Sequence, residues 1–104
     1  MAAKKLFTNA RYMTRGVAST LNPMLIALLW ELVDNLPDER DYLQVFDLSP
    51  VADSQKIVHR AEEPAHIEEY AVPLKNLAAD EAVIDKVYII DDGEHSTMLL
   101  ADEY

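Results

Sequence analysis

The sequence predicts an α+β domain: an antiparallel sheet of about five strands with one main helix, residues 23–36, packed on one face. Three observations carry this reading. Asn22-Pro23 opens the one long apolar run, and Asp92-Gly93 divides two β-rich runs near the C-terminus. No internal repeat or low-complexity stretch points to another architecture. A chain of 104 residues buries about 65% of its unfolded surface, enough for one core. Residues 1–104 are therefore expected to form a single domain.

Taken in order, residues 1–9 read as a flexible N-terminal arm. Tyr12, Thr14 and Val17 suggest a short strand over residues 11–17, with Gly16 as a bulge or bend. Asn is a favoured N-cap, and Pro23 at the first helical position loses no needed donor. Pro37 stops that helix near residue 36. Its polar residues Glu31, Asp34 and Asn35, with Met24 and Ala27, fall within an arc of about 20–120° on the helical wheel. The opposite apolar arc, centred on Leu29, spans ~200°, about twice what one sheet face covers. Its flanks, Leu28 on one side and Ile26 with Trp30 on the other, need a second cover. Leu74, Leu77, Val83 and Ile84 are one candidate, and a second copy of the chain is the other. The width of the arc favours the copy, so the expectation is a homodimer with Ile26, Leu29, Trp30 and Val33 at the interface.

Tyr42-Leu43-Gln44-Val45-Phe46-Asp47-Leu48 is rich in aromatic and β-branched residues and reads as a strand. Residues 49–54 are turn material. Residues 55–60 alternate Lys56, Val58 and Arg60 with a drier face of Ile57 and His59, which completes a hairpin. Glu62-Glu63-Pro64 interrupts the pattern before an edge strand over 67–72. Residues 76–82 favour a short helix. Residues 86–91 and 94–101 form a second hairpin, in which Asp92-Gly93 would supply the two positive-φ positions of a type I′ turn.

Charge excludes several partners. The net charge is −10, and the four bases Lys4, Lys5, Arg11 and Arg15 are the only charged side chains up to Gly16. All 19 acids therefore lie in the body, which repels phosphate backbones and anionic membranes. Neither nucleic acid nor a membrane is an expected partner, and the basic residues are expected to lie against their own acidic body. The run from Met24 to Trp30 is far shorter than the ~20 residues a bilayer span needs. With no apolar signal-peptide core, the expected compartment is the cytoplasm.

The blocks Arg11-Tyr12-Met13-Thr14-Arg15-Gly16-Val17, Leu28-Leu29-Trp30, Asp41-Tyr42-Leu43-Gln44-Val45-Phe46, Gln55-Lys56-Ile57-Val58-His59 and Glu62-Glu63-Pro64 occur in that order within residues 11–70. In order and spacing the chain resembles a family of short Gram-positive bacterial proteins catalogued as domain of unknown function 960. The resemblance implies a stand-alone bacterial domain and brings no substrate, cofactor or catalytic residue with it.

The residues themselves narrow the chemistry. The absence of cysteine excludes disulfides, zinc–thiolate sites and thiol nucleophiles. Two glycines cannot build either phosphate-binding loop. Ser19, Ser49, Ser54 and Ser96 lie in no nucleophile elbow, so no catalytic residue is predicted. His59 and His66 bracket Glu62 and Glu63, but Pro64 breaks any helix that would aim them at one cation. On a strand and its following loop the two histidines lie up to ~20 Å apart along the chain. The expectation is no cofactor and no metal, with His59, His66 and Glu62 the candidate ligands should one be held. Arg11 and Arg15 would share a strand face about 13 Å apart, suited to a partner's acidic surface or each to an acid of its own fold.

These readings favour a small interaction or regulatory protein, not an enzyme, that acts on an unidentified protein partner. One alternative is an acidic mimic of nucleic acid, which requires Asp91, Asp92, Glu94, Asp102, Glu103 and the terminal carboxylate to gather at one end of the last hairpin. A second is a metal-dependent hydrolase built on His59 and His66.

Overall fold

The computed structural model describes residues 5–51, 54–73 and 85–104. Their order is β1 (Ala10–Met13), α1 (Arg15–Thr20), α2 (Pro23–Asp34), β2 (Leu43–Val51), β3 (Ser54–Glu62), β4 (Ala65–Val72), β5 (Lys86–Asp91), β6 (His95–Leu100) and a 3₁₀ turn (Ala101–Glu103). The strands form one six-stranded sheet in the order β1-β6-β5-β2-β3-β4. β1 runs parallel to β6, and every other pairing is antiparallel. The class is α+β as expected, but the sheet is mixed and carries a second helix.

Both departures come from residues 10–20. The strand stops at Met13 because Thr14 turns the chain into α1, its hydroxyl accepting the Val17 N–H at 3.2 Å. The same hydroxyl donates to Glu103 Oε1 at 2.6 Å, tying the helix start to the C-terminal turn. Gly16 is therefore the second residue of a helix and not a bulge. A Cβ there would meet Glu103 Oε2 at 2.6 Å. With Arg15 on that helix, Arg11 and Arg15 share no strand face. Arg11 pairs instead with Asp34 of α2.

From Lys5 onward the N-terminal segment is part of the body and not an arm. Phe7 is fully buried in the core at φ +66°. Its N–H donates to Asp91 Oδ2 at 2.8 Å, and Asn9 Nδ2 donates to the other oxygen of that carboxylate at 3.1 Å. Lys5 lies 3.3 Å from Asp38, so this basic residue rests on the acidic body.

α2 follows its sequence signals. Asn22 accepts the Met24 N–H at 2.8 Å with Pro23 in the first turn. Leu25, Leu29, Leu32 and Val33 are buried, while Met24, Ala27, Glu31, Asp34 and Asn35 face water. On one flank Trp30 is partly covered from a source the wheel did not indicate. The Arg11 guanidinium sits 4.6 Å from the Trp30 ring centroid, and Leu6 joins Ile26, Leu28 and Trp30 at the margin of the core. Leu29 and Val33, both 0% exposed, belong to the chain's own core and cannot be interface residues. Ile26 and Trp30 remain partly exposed. Leu74, Leu77, Val83 and Ile84, and the helix expected over 76–82, lie outside the described residues.

The sheet alternates as its patterning requires. Phe46, Leu48, Ile57, Val87, Ile89, Met98 and Leu100 face the helices and close the core with Phe7. The last hairpin forms in the expected register, with Asp91 opposite Ser96. Its turn is not type I′, because only Gly93 has positive φ, at +101°. Asp92 Oδ1 accepts the N–H groups of Glu94 and His95, each at 3.0 Å, which stabilises a three-residue loop instead.

Candidate functional site

The helix-facing side of the sheet changes character toward β3 and β4, where polar side chains occupy inward positions. Gln44 and His59 are both 0% exposed, in phase with Phe46 and Ile57 along their strands. Gln44 Nε2 donates to the Asp41 carbonyl at 2.8 Å, which turns its Oε1 toward His59 Nε2 at 2.7 Å. An amide oxygen only accepts, so His59 carries its proton on Nε2 and presents a bare lone pair at Nδ1. The ring stacks on Phe46, with centroids 4.5 Å apart and planes 19° apart. Burial, reinforced by the neighbouring His66, lowers the His59 pKa to about 4, so the imidazole is neutral.

His66 completes the cluster. The distance expected from the sequence is overturned, because β3 and β4 pair as a tight hairpin in which Ala61 faces His66 and His59 faces Glu68. His59 and His66 then point to the same side of the sheet. Their ring centroids stand 4.8 Å apart at 61°. His59 Nδ1 and His66 Nε2 are both buried and have no hydrogen-bond partner among the described residues. Glu62, the carboxylate named from the sequence, falls on the opposite sheet face by the same alternation. Among the described residues no three ligating side chains are already gathered around one point.

The surroundings are tightly held. Asp41 accepts the N–H groups of Leu43 at 3.1 Å, Glu62 at 3.1 Å and Glu63 at 2.8 Å, clamping the β3–β4 turn against the start of β2. Arg40, 8% exposed, donates to four main-chain carbonyls: Pro37 at 2.9 Å, Leu6 and Asp34 at 3.1 Å, and Leu36 at 3.0 Å. One of these, the Asp34 carbonyl, is left open at the end of α2, and the guanidinium places a positive charge at the negative end of that helix. Between these groups lies a cavity of about 270 Å³, lined by Arg40, Asp41, Gln44 and His66 against apolar Leu36 and Pro64.

Sequence reasoning named the histidines and missed Gln44, Arg40 and Glu68. Gln44 was findable, since it shares the inward phase of Phe46 and Leu48. Arg40 sits in a charged connection, and no local pattern marks it as buried.

The chain matches a family described as "Staphylococcal protein of unknown function (DUF960)" over residues 10–103. It belongs to this family. The match extends well beyond residue 70, where the recognisable blocks of the DUF960 sequence end. The fold has a crystallographic counterpart in a protein of unknown function from Enterococcus faecalis. The two superpose with a TM-score of 0.80 at 24% identity, covering 100% of this chain and 98% of the other. No curated protein matches the chain. Within the DUF960 fold the acids that a nucleic-acid mimic requires are dispersed. Asp92 and Glu94 sit in the turn at one end of β6, and Asp102 and Glu103 follow its far end. A six-residue strand separates the two groups by about 20 Å. Asp91 is buried beneath Phe7. No helix among the described residues is long and apolar enough to cross a membrane.

Proposed function

We propose that this DUF960 chain is a non-catalytic interaction protein that works through the sheet face opposite its helices, and that its first partner is a second copy of itself. The observation supporting this reading is the pattern of cross-strand rows on that face. One row runs Tyr12–Thr97–Ile90–Leu43, and the next runs Leu99–Tyr88–Val45–Arg60–Ile67. Tyr12 is 56% and Ile67 69% exposed. The Tyr104 ring meets Tyr88 edge-on at 5.3 Å. Arg60 of the second row is neutralised by the third, where Asp47 lies 2.6 Å from Arg60 and 3.8 Å from Lys86. Aromatic and aliphatic rows beside a self-neutralised charged row suit sheet-on-sheet packing about a two-fold axis.

Light scattering coupled to size exclusion at micromolar protein tests the reading. The expected mass is twice the chain's 11.8 kDa, and Ile90→Asp or Leu99→Asp should halve it while leaving the circular dichroism unchanged. A monomer for the unmodified chain rejects the self-association. A dimer that ignores both substitutions and dissolves on Trp30→Asp returns the interface to the helix and rejects the sheet face.

A further inference from the structure

We infer that the inner face of the β3–β4 hairpin is a site for a divalent transition cation of the zinc class, held by His59 Nδ1, His66 Nε2 and the carboxylate of Glu68. The inference is independent of the interaction surface, which lies on the other side of the sheet.

Donor chemistry comes first. Both named nitrogens are buried and unpartnered among the described residues, which is costly for a polar atom unless something fills the vacant direction. For His59 the free atom is a lone pair and not an N–H, because Gln44 Oε1 fixes the proton on Nε2. This is the arrangement of metal-binding histidines, in which the non-ligating N–H donates to a carbonyl or carboxylate that sets the tautomer and ring orientation. Gln44 is itself fixed by Asp41, so the lone pair is held in place before any ion arrives.

Geometry agrees. Imidazole nitrogens bind zinc at about 2.0–2.1 Å, which puts two ring centroids ~5 Å apart around a tetrahedral ion. The observed separation is 4.8 Å, with the rings inclined at 61°. The third ligand follows from register. Glu68 is the cross-strand partner of His59 and stands two positions beyond His66 on the same strand, so all three project from one face. Directly paired positions place Cβ atoms about 4.5–5.5 Å apart, within reach of a glutamate side chain. Glu68 is exposed, and its Oε2 accepts the Tyr70 hydroxyl at 2.8 Å. Closing the site therefore requires one surface side chain to exchange a hydroxyl partner for a cation. Two imidazoles and one carboxylate form a donor set for zinc and its first-row neighbours, and a poor one for magnesium or calcium. His66 also lines the cavity beside Arg40 and Gln44, so a fourth position opens toward that space.

The test uses the untagged full chain, dialysed against chelator and titrated with ZnCl₂ by calorimetry, with imidazole nitrogens followed by long-range ¹⁵N–¹H NMR. The expected result is one zinc per chain with a dissociation constant of ~10 µM or tighter, accompanied by shifts of His59 Nδ1 and His66 Nε2. His66→Ala and Glu68→Gln should each weaken binding by about tenfold or more. Both positions lie on the edge strand and leave the core intact. His95→Ala should change nothing, although His95 with Asp92 offers zinc a surface alternative 3.3 Å across. Three results would overturn the site: no saturable binding at 100 µM ZnCl₂, binding abolished by His95→Ala but not by His66→Ala, or saturation without movement of His59 Nδ1.

Discussion

Asp91 Oδ2 accepts the main-chain N–H of Phe7 at 2.8 Å, joining residues 84 positions apart in the chain. The carboxylate also accepts the Gly93 N–H at 2.7 Å, so one buried side chain anchors both the N-terminal segment and the turn of the last hairpin. Phe7 holds a positive φ that a side-chain-bearing residue rarely adopts. This contact and the burial of its ring compensate for that conformation.

Phe7→Ala should therefore destabilise the domain by about 3–5 kcal/mol, as expected for emptying a fully buried aromatic site. Urea unfolding monitored at Trp30 measures it. A loss below about 1 kcal/mol would mean that the segment contributes little packing and that the arm expected from the sequence was the better description.

Gly16 and Glu103 should be coupled with a change of sign. Glu103 Oε1 accepts the Thr14 hydroxyl at 2.6 Å and the Leu100 N–H at 2.8 Å, and these bonds hold its carboxyl below the usual carboxylate range. A methyl group at position 16 would displace it. Gly16→Ala should therefore destabilise the unmodified chain. In a Glu103→Ala background the same substitution should be neutral or stabilising by up to ~1 kcal/mol, since Ala is preferred to Gly in a helix. Equal effects in both backgrounds, read from a double-mutant cycle, would show that the two sites do not communicate.

His59 should impose a specific pH dependence on stability. Its pKa is lowered from 6.5 to about 4 in the folded chain, so between those values the unfolded state binds a proton that the folded state refuses. The contribution is complete above pH 6.5 and is lost as pH falls, at roughly 1.4 kcal/mol per pH unit, until His59 itself protonates near 4. Carboxylates held below their usual range, Asp34 among them, add their own losses only at the acid end. Denaturant midpoints between pH 7 and 4 should slope for the unmodified chain and flatten for His59→Gln. Parallel profiles would remove His59 as the cause.

Local signals were legible wherever short-range chemistry decided the outcome. Asn22-Pro23 set the start of α2, the wheel centred on Leu29 gave its buried side, and alternation placed Ile57 and His59 on the drier face of β3. The signals failed where a distant residue supplies the partner. Thr14 is a helix cap through its own hydroxyl and Val17, yet the alternation of Tyr12, Thr14 and Val17 reads equally well as a strand. The contact to Glu103 comes from the other end of the chain. Phe7 carries no periodicity, because a single buried ring in an irregular segment is recognisable only once Asp91 and the core stand around it.

The histidine cluster divides along the same line. The sequence by itself determined the residue types and the inward phase of His59, because the two-residue period of a strand is a local property. Only the tertiary structure decided that His59 and His66 meet. Pro64 rules out the helix that would have joined them, but a hairpin turning at that point lays the two strands side by side in a register that brings the rings within 4.8 Å. The same register removes Glu62 to the far face and delivers Glu68 in its place. Register is set by pairing between strands and by the Asp41 clamp on the turn. Those hydrogen bonds join residues about 20 positions apart, so no window along the chain contains them.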